Sequence, residues 1–365
     1  MENSASVAKP PRTRAESPFS WAVQCVMPVY AALAGVRYDR TFTELDAIIE
    51  AYSVGRPRAE ALYGPDVRYA GPGWSGISYG HINGLGAPLV FPLDSEVAHR
   101  PIYRSLDEGI AALQRPTDWA SAGMMPCYLE LWRKLQRAFP GEVGGFPGYG
   151  VEGPITTAWE LRGHGFFEDV AADPERCKEY LRLVTESIIE YRGFVQSVNK
   201  APLFDDRTLG LADDVAAMIS PRMWPEMVLP YLERFYAAQT SGWRNAHIED
   251  LTPGHLHFLD ELRISSFDVS VSPRLQPADV RDRCGVPFVW RLNEMQARDM
   301  DTAQMRRFAV NAVADGASGL TCTLYRAMTD QEMATKVKAF IDDCKRIAAL
   351  LADGCPRGGL RDALR

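Results

Sequence analysis

Apolar residues recur at helical spacing as Cys177, Leu181, Val184, Ile188, Tyr191 and Val195, behind an Asp173-Pro174-Glu175 start that supplies an N-cap, an N1 proline and an acidic first turn. This predicts a long amphipathic helix. Ser220-Pro221 opens a second helical stretch in the same way, through Met227, Leu232 and Phe235, which Pro225 and Pro230 should kink or divide. Four short β-rich segments follow, near residues 243–248, 267–271, 287–292 and 318–324, separated by helical patterns around 254–262, 277–283, 301–314 and 329–351. Asp301 is placed to cap its helix and Asp315-Gly316 to end it. Strand and helix thus alternate, and right-handed crossovers lay such strands in one parallel sheet.

The first half is less regular. Gly71-Pro72-Gly73-Trp74 and Gly84-Leu85-Gly86 fall in a stretch (63–92) rich in glycine, proline and aromatics, which predicts irregular loops covering part of a barrel mouth. The apolar run 21–36, interrupted by Gln24 and Pro28, reads as a core helix and is short for a bilayer span of about 20 residues. Residues 1–17 read as a disordered N-terminus without the pattern of a secretory signal, 18–352 as one domain, and 353–365 as a flexible tail.

Composition narrows the function classes. With 40 Lys and Arg against 47 Asp and Glu, the net charge of −7 and the lack of a basic run argue against nucleic acid as a partner. Seven scattered cysteines without a C-x-x-C predict neither a disulfide scaffold nor a zinc ribbon and suit a reducing cytoplasm. No G-x-G-x-x-G after a strand, Walker loop or G-x-S-x-G occurs, so dinucleotide, nucleoside triphosphate and serine-hydrolase chemistry lack support.

Polar residues at the carboxyl ends of parallel strands are where a barrel places its chemistry. His247 and Glu249 close one predicted strand two residues apart, so an extended backbone turns both to one side; Cys322 closes another. Imidazole, carboxylate and thiolate are competent zinc ligands, and three of them leave an open position. A satisfied core histidine and an inert thiol explain the same residues. Asp213 and Asp214 follow a strand-like run and can orient a substrate, move a proton or support a ligand; alternatively one caps a helix and the other is solvated. Arg291 can bind an anionic group or sit in a rim salt bridge. Tyr149 and Glu152 flank Gly150 in a glycine-rich bend where a backbone can approach a ligand, or simply turn. His255 and His257, two apart on a helical stretch, cannot share a metal.

Gly153-Pro154-Ile155-Thr156-Thr157-Ala158, then Asp173-Pro174-Glu175, Asp213-Asp214, Ser220-Pro221 and Pro230-Tyr231, on through His247 to Gly316 and Cys322, resembles the ordered signature of the uroporphyrinogen decarboxylase superfamily. The resemblance covers roughly the C-terminal two-thirds, and residues 86–92 and 105–113 more loosely. It implies a single (β/α)8 TIM-type barrel, here with an irregular N-terminal elaboration, and a pocket at the C-terminal face. The decarboxylase branch is metal-free and uses an N-terminal arginine motif that Pro18-Phe19-Ser20-Trp21 onward does not supply. The cobalamin-dependent methyltransferase branch holds zinc with an H-x-C pair and a later cysteine. His247 and Cys322 match that pattern, and Glu249 replaces the first cysteine, which hardens the site and makes a methoxy substrate plausible beside a thiol.

The resemblance therefore implies an enzyme that moves a methyl group between a small methylated compound or thiol and cobalamin. No corrinoid-binding D-x-H-x-x-G occurs, so the cobalamin is expected on a separate corrinoid protein docking at the barrel mouth. A homodimer is compatible with this. The alternatives are a metal-free decarboxylase-like lyase and a barrel that binds without catalysis.

Overall fold

The computed structural model describes residues 13–365. Among the described residues nine strands are formed: β1 (Ser20–Cys25), β2 (Arg68–Tyr69), β3 (Leu89–Val90), β4 (Ala98–His99), β5 (Leu209–Ala212), β6 (Arg244–His247), β7 (Ile264–Asp268), β8 (Phe288–Leu292) and β9 (Gly319–Leu324). Seven make a curled parallel sheet in the order β2-β1-β9-β8-β7-β6-β5, and β3 and β4 form a separate antiparallel pair. From β5 onward each strand pairs with the next, as expected of short right-handed crossovers. Among the described residues the sheet has seven strands, and its outer members β2 and β5 are not paired with each other, where a closed barrel would have eight.

The irregular, glycine-rich chain runs beside β5 instead. Gly153 donates its N–H to the Ala212 carbonyl (2.6 Å), and His81 donates to the Gly150 carbonyl (3.0 Å). Gly150 has φ +116, and a Cβ there would lie 2.0 Å from the Ile77 carbonyl oxygen, so no other residue fits this crossing.

The alternating second half forms as its pattern predicts. The helix Pro174–Val198 starts with Asp173 accepting from the Arg176 N–H (3.2 Å). Thr302–Ala314 opens with a reciprocal Asp301 and Gln304 capping box, and Gly316 follows its end at φ +112. After Ser220-Pro221 the chain is divided into Trp224–Met227 and Leu229–Ala237, with Pro225 and Pro230 each in a first turn.

One expectation is corrected, and both ends of the chain are placed as far as the described residues reach. The run 21–36 is strand β1 followed by the helix Met27–Ala34; Val23 and Cys25 alternate inward with period two, and Pro28 opens the helix rather than interrupting one. At the N-terminus, residues 1–12 lie outside the described residues, whereas Arg14 donates its backbone N–H to the Gly285 carbonyl and its guanidinium to the Arg281 and Cys284 carbonyls. The C-terminal residues are docked. Leu360–Ala363 is helical, Leu360 is fully buried, and Arg361 bonds to Asn311 (3.1 Å) and Asp315 (2.6 Å). Among the described residues no helix is long and apolar enough to cross a membrane, and all seven cysteines are free.

Candidate active site at the carboxyl ends of β5 to β8

Polar residues gather at the carboxyl ends of four neighbouring strands: Asp214 shortly after β5, His247 and Asp268 closing β6 and β7, and Arg291 near the end of β8. His247, the last residue of β6, is in register with Asp268, the last of β7, so their side chains leave the same face. The His247 Nδ1 and Asp268 Oδ2 are 2.9 Å apart, and Arg291 on β8 bonds to that same oxygen. The other Asp268 oxygen accepts from the Ser270 N–H at 2.9 Å. Asp268 is thereby fixed from three directions, and it in turn fixes the imidazole with Nε2 turned away.

Nε2 faces two more carboxylates. Asp214 Oδ1 and Glu249 Oε1 each lie 3.8 Å from it. Glu249 donates its N–H to Asp214 Oδ1 (2.8 Å) and accepts a bond from the Ser270 hydroxyl. The loops that carry these residues contain Asp250 (φ 60) and Ser270 (φ 52), left-handed positions costing about 1–3 kcal/mol each and held by the Ser272 and Asp268 side chains. Asp214, His247 and Glu249 have one ligand atom each within 4.8 Å of the others, a group suited to a metal ion. Ligand atoms on a tetrahedral zinc with bonds of about 2.0–2.1 Å lie roughly 3.3 Å apart, so the two 3.8 Å distances from His247 are near what such an ion needs, while the three ligand atoms together lie within 4.8 Å. The donor set fits a cation of hard or borderline character.

Burial lowers the pKa of His247, but the hydrogen bond and charge of Asp268 together with Asp214 more than offset it, so the net shift is upward. Burial raises Asp268, and its bonds to His247 and Arg291 reverse that and bring it below the usual carboxylate range.

Cys322 is not brought to this group. On β9 it pairs with Leu292 of β8 and Val23 of β1, whereas Arg291 pairs with Thr321. Strand residues alternate between faces, so Cys322 leaves the sheet on the side opposite Arg291, Asp268 and His247. It is fully buried, and burial pushes its thiol up to about 12, far from the thiolate a metal requires. The thiol of Cys344, on the helix Gln331–Ala352, feels its charge from the outer layer.

The adjacent aspartates divide their roles. Asp213 is completely buried and accepts the Ile155 (3.2 Å) and Thr156 (2.7 Å) N–H groups, capping the helix Pro154–Arg162 from another strand. The glycine of the Gly153-Pro154 start is required for this, because a Cβ on Gly153 would lie 2.5 Å from the Asp213 carboxyl carbon. Burial raises Asp213 to about 7 against those hydrogen bonds. Asp214 instead opens toward solvent beside His247.

Glu152 joins the site: burial, with Asp214 and Asp213 adding, pushes it up to about 7 while a Ser78 hydrogen bond opposes. Tyr149 does not. Its hydroxyl donates to Asn83 Oδ1 (2.9 Å) and its ring stacks on Tyr128 at 4.4 Å inside the N-terminal half. Arg291 takes the salt-bridged alternative through Asp268. His255 is a structural residue bonded to Thr252 and to the Ile219 carbonyl.

Asp268, Ser270 and Glu160 were not singled out from sequence. Asp268-x-Ser270 repeats, one strand later, the polar spacing of His247-x-Glu249, a signal that strand register could have exposed. Glu160 gives no sequence signal, as it lies on a helix between apolar neighbours. The site as a whole is acidic. Glu152, Glu160, Asp213, Asp214, Glu249 and Asp268 converge, and the basic groups acting on them are His247 and Arg291.

Comparison with known proteins agrees with this architecture. A methyltransferase from Methanosarcina mazei superimposes with a TM-score of 0.64 at 17% identity, covering 90% of this chain and 94% of its own. Pyruvate carboxylase from Rhizobium etli, at TM-score 0.26 and 10% identity over 91% of this chain and 25% of its own, is too distant to bear on the fold. No curated protein matches by sequence. The sequence profile described as Uroporphyrinogen decarboxylase (URO-D) matches residues 80–287, more than half of the chain and including Asp213, Asp214, His247, Glu249 and Asp268. The chain belongs to the uroporphyrinogen decarboxylase family.

Proposed function

We propose that the protein is a metal-dependent methyltransferase that moves a methyl group between a small methylated substrate, of methoxy or methylthio type, or a thiol, and cobalamin carried by a separate corrinoid protein. The observation that carries the reading is the His247 Nε2 facing Asp214 and Glu249 at 3.8 Å while Asp268 holds the opposite ring nitrogen. The fold shared with the Methanosarcina mazei methyltransferase supports it. The ligands are Asp214, His247 and Glu249, with Asp214 in the place that the family resemblance gave to Cys322.

Zinc bound there supplies Lewis acidity, polarising a methyl–heteroatom bond or lowering the pKa of an acceptor thiol. The chain's own residues do the rest. Asp268 sets the imidazole orientation, Ser270 restrains the Glu249 carboxylate, and Asp213 locks the Gly153–Thr156 turn against the site. Glu152, held near neutral pH by burial, is the group suited to pass a proton to or from the substrate. The acidic lining opposes a decarboxylase reading, since a porphyrinogen polycarboxylate would meet the carboxyl groups of Asp214 and Glu249 beside His247, with the nearby Arg291 already tied to Asp268.

Metal analysis of tag-free protein tests the proposal. About one zinc per chain is expected, lost in Asp214→Ala, His247→Ala and Glu249→Ala and retained in Cys322→Ala, followed by methyl exchange with methylcobalamin. Wild-type protein that takes up no metal when zinc is supplied would overturn it.

A further inference from the structure

Arginines line a cavity away from the candidate active site. On the helix Thr302–Ala314, Ala303, Arg306, Arg307 and Val310 follow one another at helical spacing and so share one face. The helix Leu360–Ala363 docks beside it through the fully buried Leu360, bringing Arg361, Leu364 and Arg365 to that face. Between them lies a cavity of about 430 Å³, within the range of about 300–1,000 Å³ usual for small-molecule sites. Half of its eight lining residues are arginines and none is acidic, on a chain whose net charge is −7. The metal-binding candidates stand at the carboxyl ends of their strands, whereas Asp315, which holds Arg361, precedes the amino end of β9.

Two of these arginines are set in place by the fold. Arg306 donates through Nε to Asp343 Oδ1 (2.9 Å), a carboxylate 1% exposed on the helix Gln331–Ala352. Arg361 donates through Nε to Asn311 (3.1 Å) and through Nη2 to Asp315 (2.6 Å). Among the described residues both Nη groups of Arg306 and the Nη1 of Arg361 keep their hydrogens unbonded. Arg307 is exposed and has neither a hydrogen bond nor an ion pair among them. The nearby carboxylates do not cancel this charge, because Asp343 also faces Arg346 at 3.8 Å and Asp315 also faces Arg281 at 3.6 Å.

Surplus positive charge and spare N–H forks around one cavity call for an anion. A single guanidinium already satisfies a carboxylate in bidentate fashion, whereas three match the charge and the several oxygens of a phosphate. Val310 and Leu364 give the same cavity an apolar wall. We propose that Arg306, Arg307 and Arg361 form a binding site for a small organic phosphate, an ester whose phosphate is gripped by the guanidinium groups and whose short apolar body rests on Val310 and Leu364. The site is separate from the Asp214, His247 and Glu249 cluster, and its occupancy does not depend on whether the protein transfers methyl groups.

The test is calorimetric titration of the full-length protein at low ionic strength with phenyl phosphate, benzoate and benzyl alcohol. Phenyl phosphate is expected to bind at least fivefold more tightly than benzoate, and benzyl alcohol not at all. Arg307→Gln should weaken phenyl phosphate at least fivefold with Tm unchanged, since that side chain holds nothing in the fold. Arg361→Lys, which keeps the charge and removes the fork, should weaken it as well. Arg137→Gln, which removes an exposed charge elsewhere, and His247→Ala, which removes the metal cluster, should both leave the affinity as it is. Absence of phenyl phosphate binding, equal affinity for benzoate, or unchanged affinity in Arg307→Gln overturns the site. An equal loss in Arg137→Gln would reduce it to general surface charge, and a loss in His247→Ala would put the phosphate at the other site; either overturns it too. Methyl exchange by a protein that binds no phenyl phosphate sinks this site alone.

Discussion

The imidazole of His247 is held by Asp268, with Nδ1 and Oδ2 2.9 Å apart across two strands in register. A carboxylate in this position fixes the ring and raises its basicity, and loss of such a partner typically costs 10–100-fold in metal affinity. Asp268→Asn is therefore expected to weaken zinc by about that range while leaving the fold intact. Competition against a chromophoric chelator measures it, and wild-type affinity in the variant would remove Asp268 from the site.

Cys322→Ala is expected to keep its metal and to lose roughly 1 kcal/mol of stability through a smaller side chain in the outer core. Denaturant unfolding and metal analysis of the same sample read both effects. Loss of zinc with stability preserved would reverse the assignment made from strand register.

Gly153→Ala is expected to damage the site from a distance. Its added Cβ would press on Asp213 at 2.5 Å, displacing the cap of the helix Pro154–Arg162, while loss of an N-cap alone costs about 0.5–2 kcal/mol. Both a lower Tm and a weaker metal affinity are predicted, the second because Asp214 follows Asp213 directly. A variant with wild-type Tm would contradict this close contact.

Burial pushes Glu160 from its ordinary 4.5 up to about 9. Between those values the folded chain keeps a proton that the unfolded chain releases, so stability contributed at low pH is lost as pH rises, with a slope of at most about 1.4 kcal/mol per unit. Wild-type protein without ligand should lose stability relative to Glu160→Gln from pH 5 to 9. Parallel stability curves for the two proteins would show that the carboxyl is ionised.

The second half of the fold was legible because capping residues and strand patterns coincide there, as at Asp173-Pro174 and Asp301 with Gln304. β1 was not, since Trp21 to Val36 is largely apolar, broken by little more than Gln24, and hides the change from period two to a helical turn at Pro28. For the site, His247, Glu249 and Asp214 were visible as polar residues ending strands. Which face Cys322 takes depends on its pairing with Leu292 and Val23, a relation between strands that no local window contains. Glu160 was invisible for a similar reason, as its isolation is set by what fails to reach it.

The cap that Asp213 places on the helix Pro154–Arg162 joins the two halves of the chain at one carboxylate. The residue that anchors a helix of the first half stands next to a proposed metal ligand of the second, so the backbone that carries Asp214 takes its final place once both halves have met. If the proposed ion binds there, its uptake during refolding would serve as a clock for that meeting.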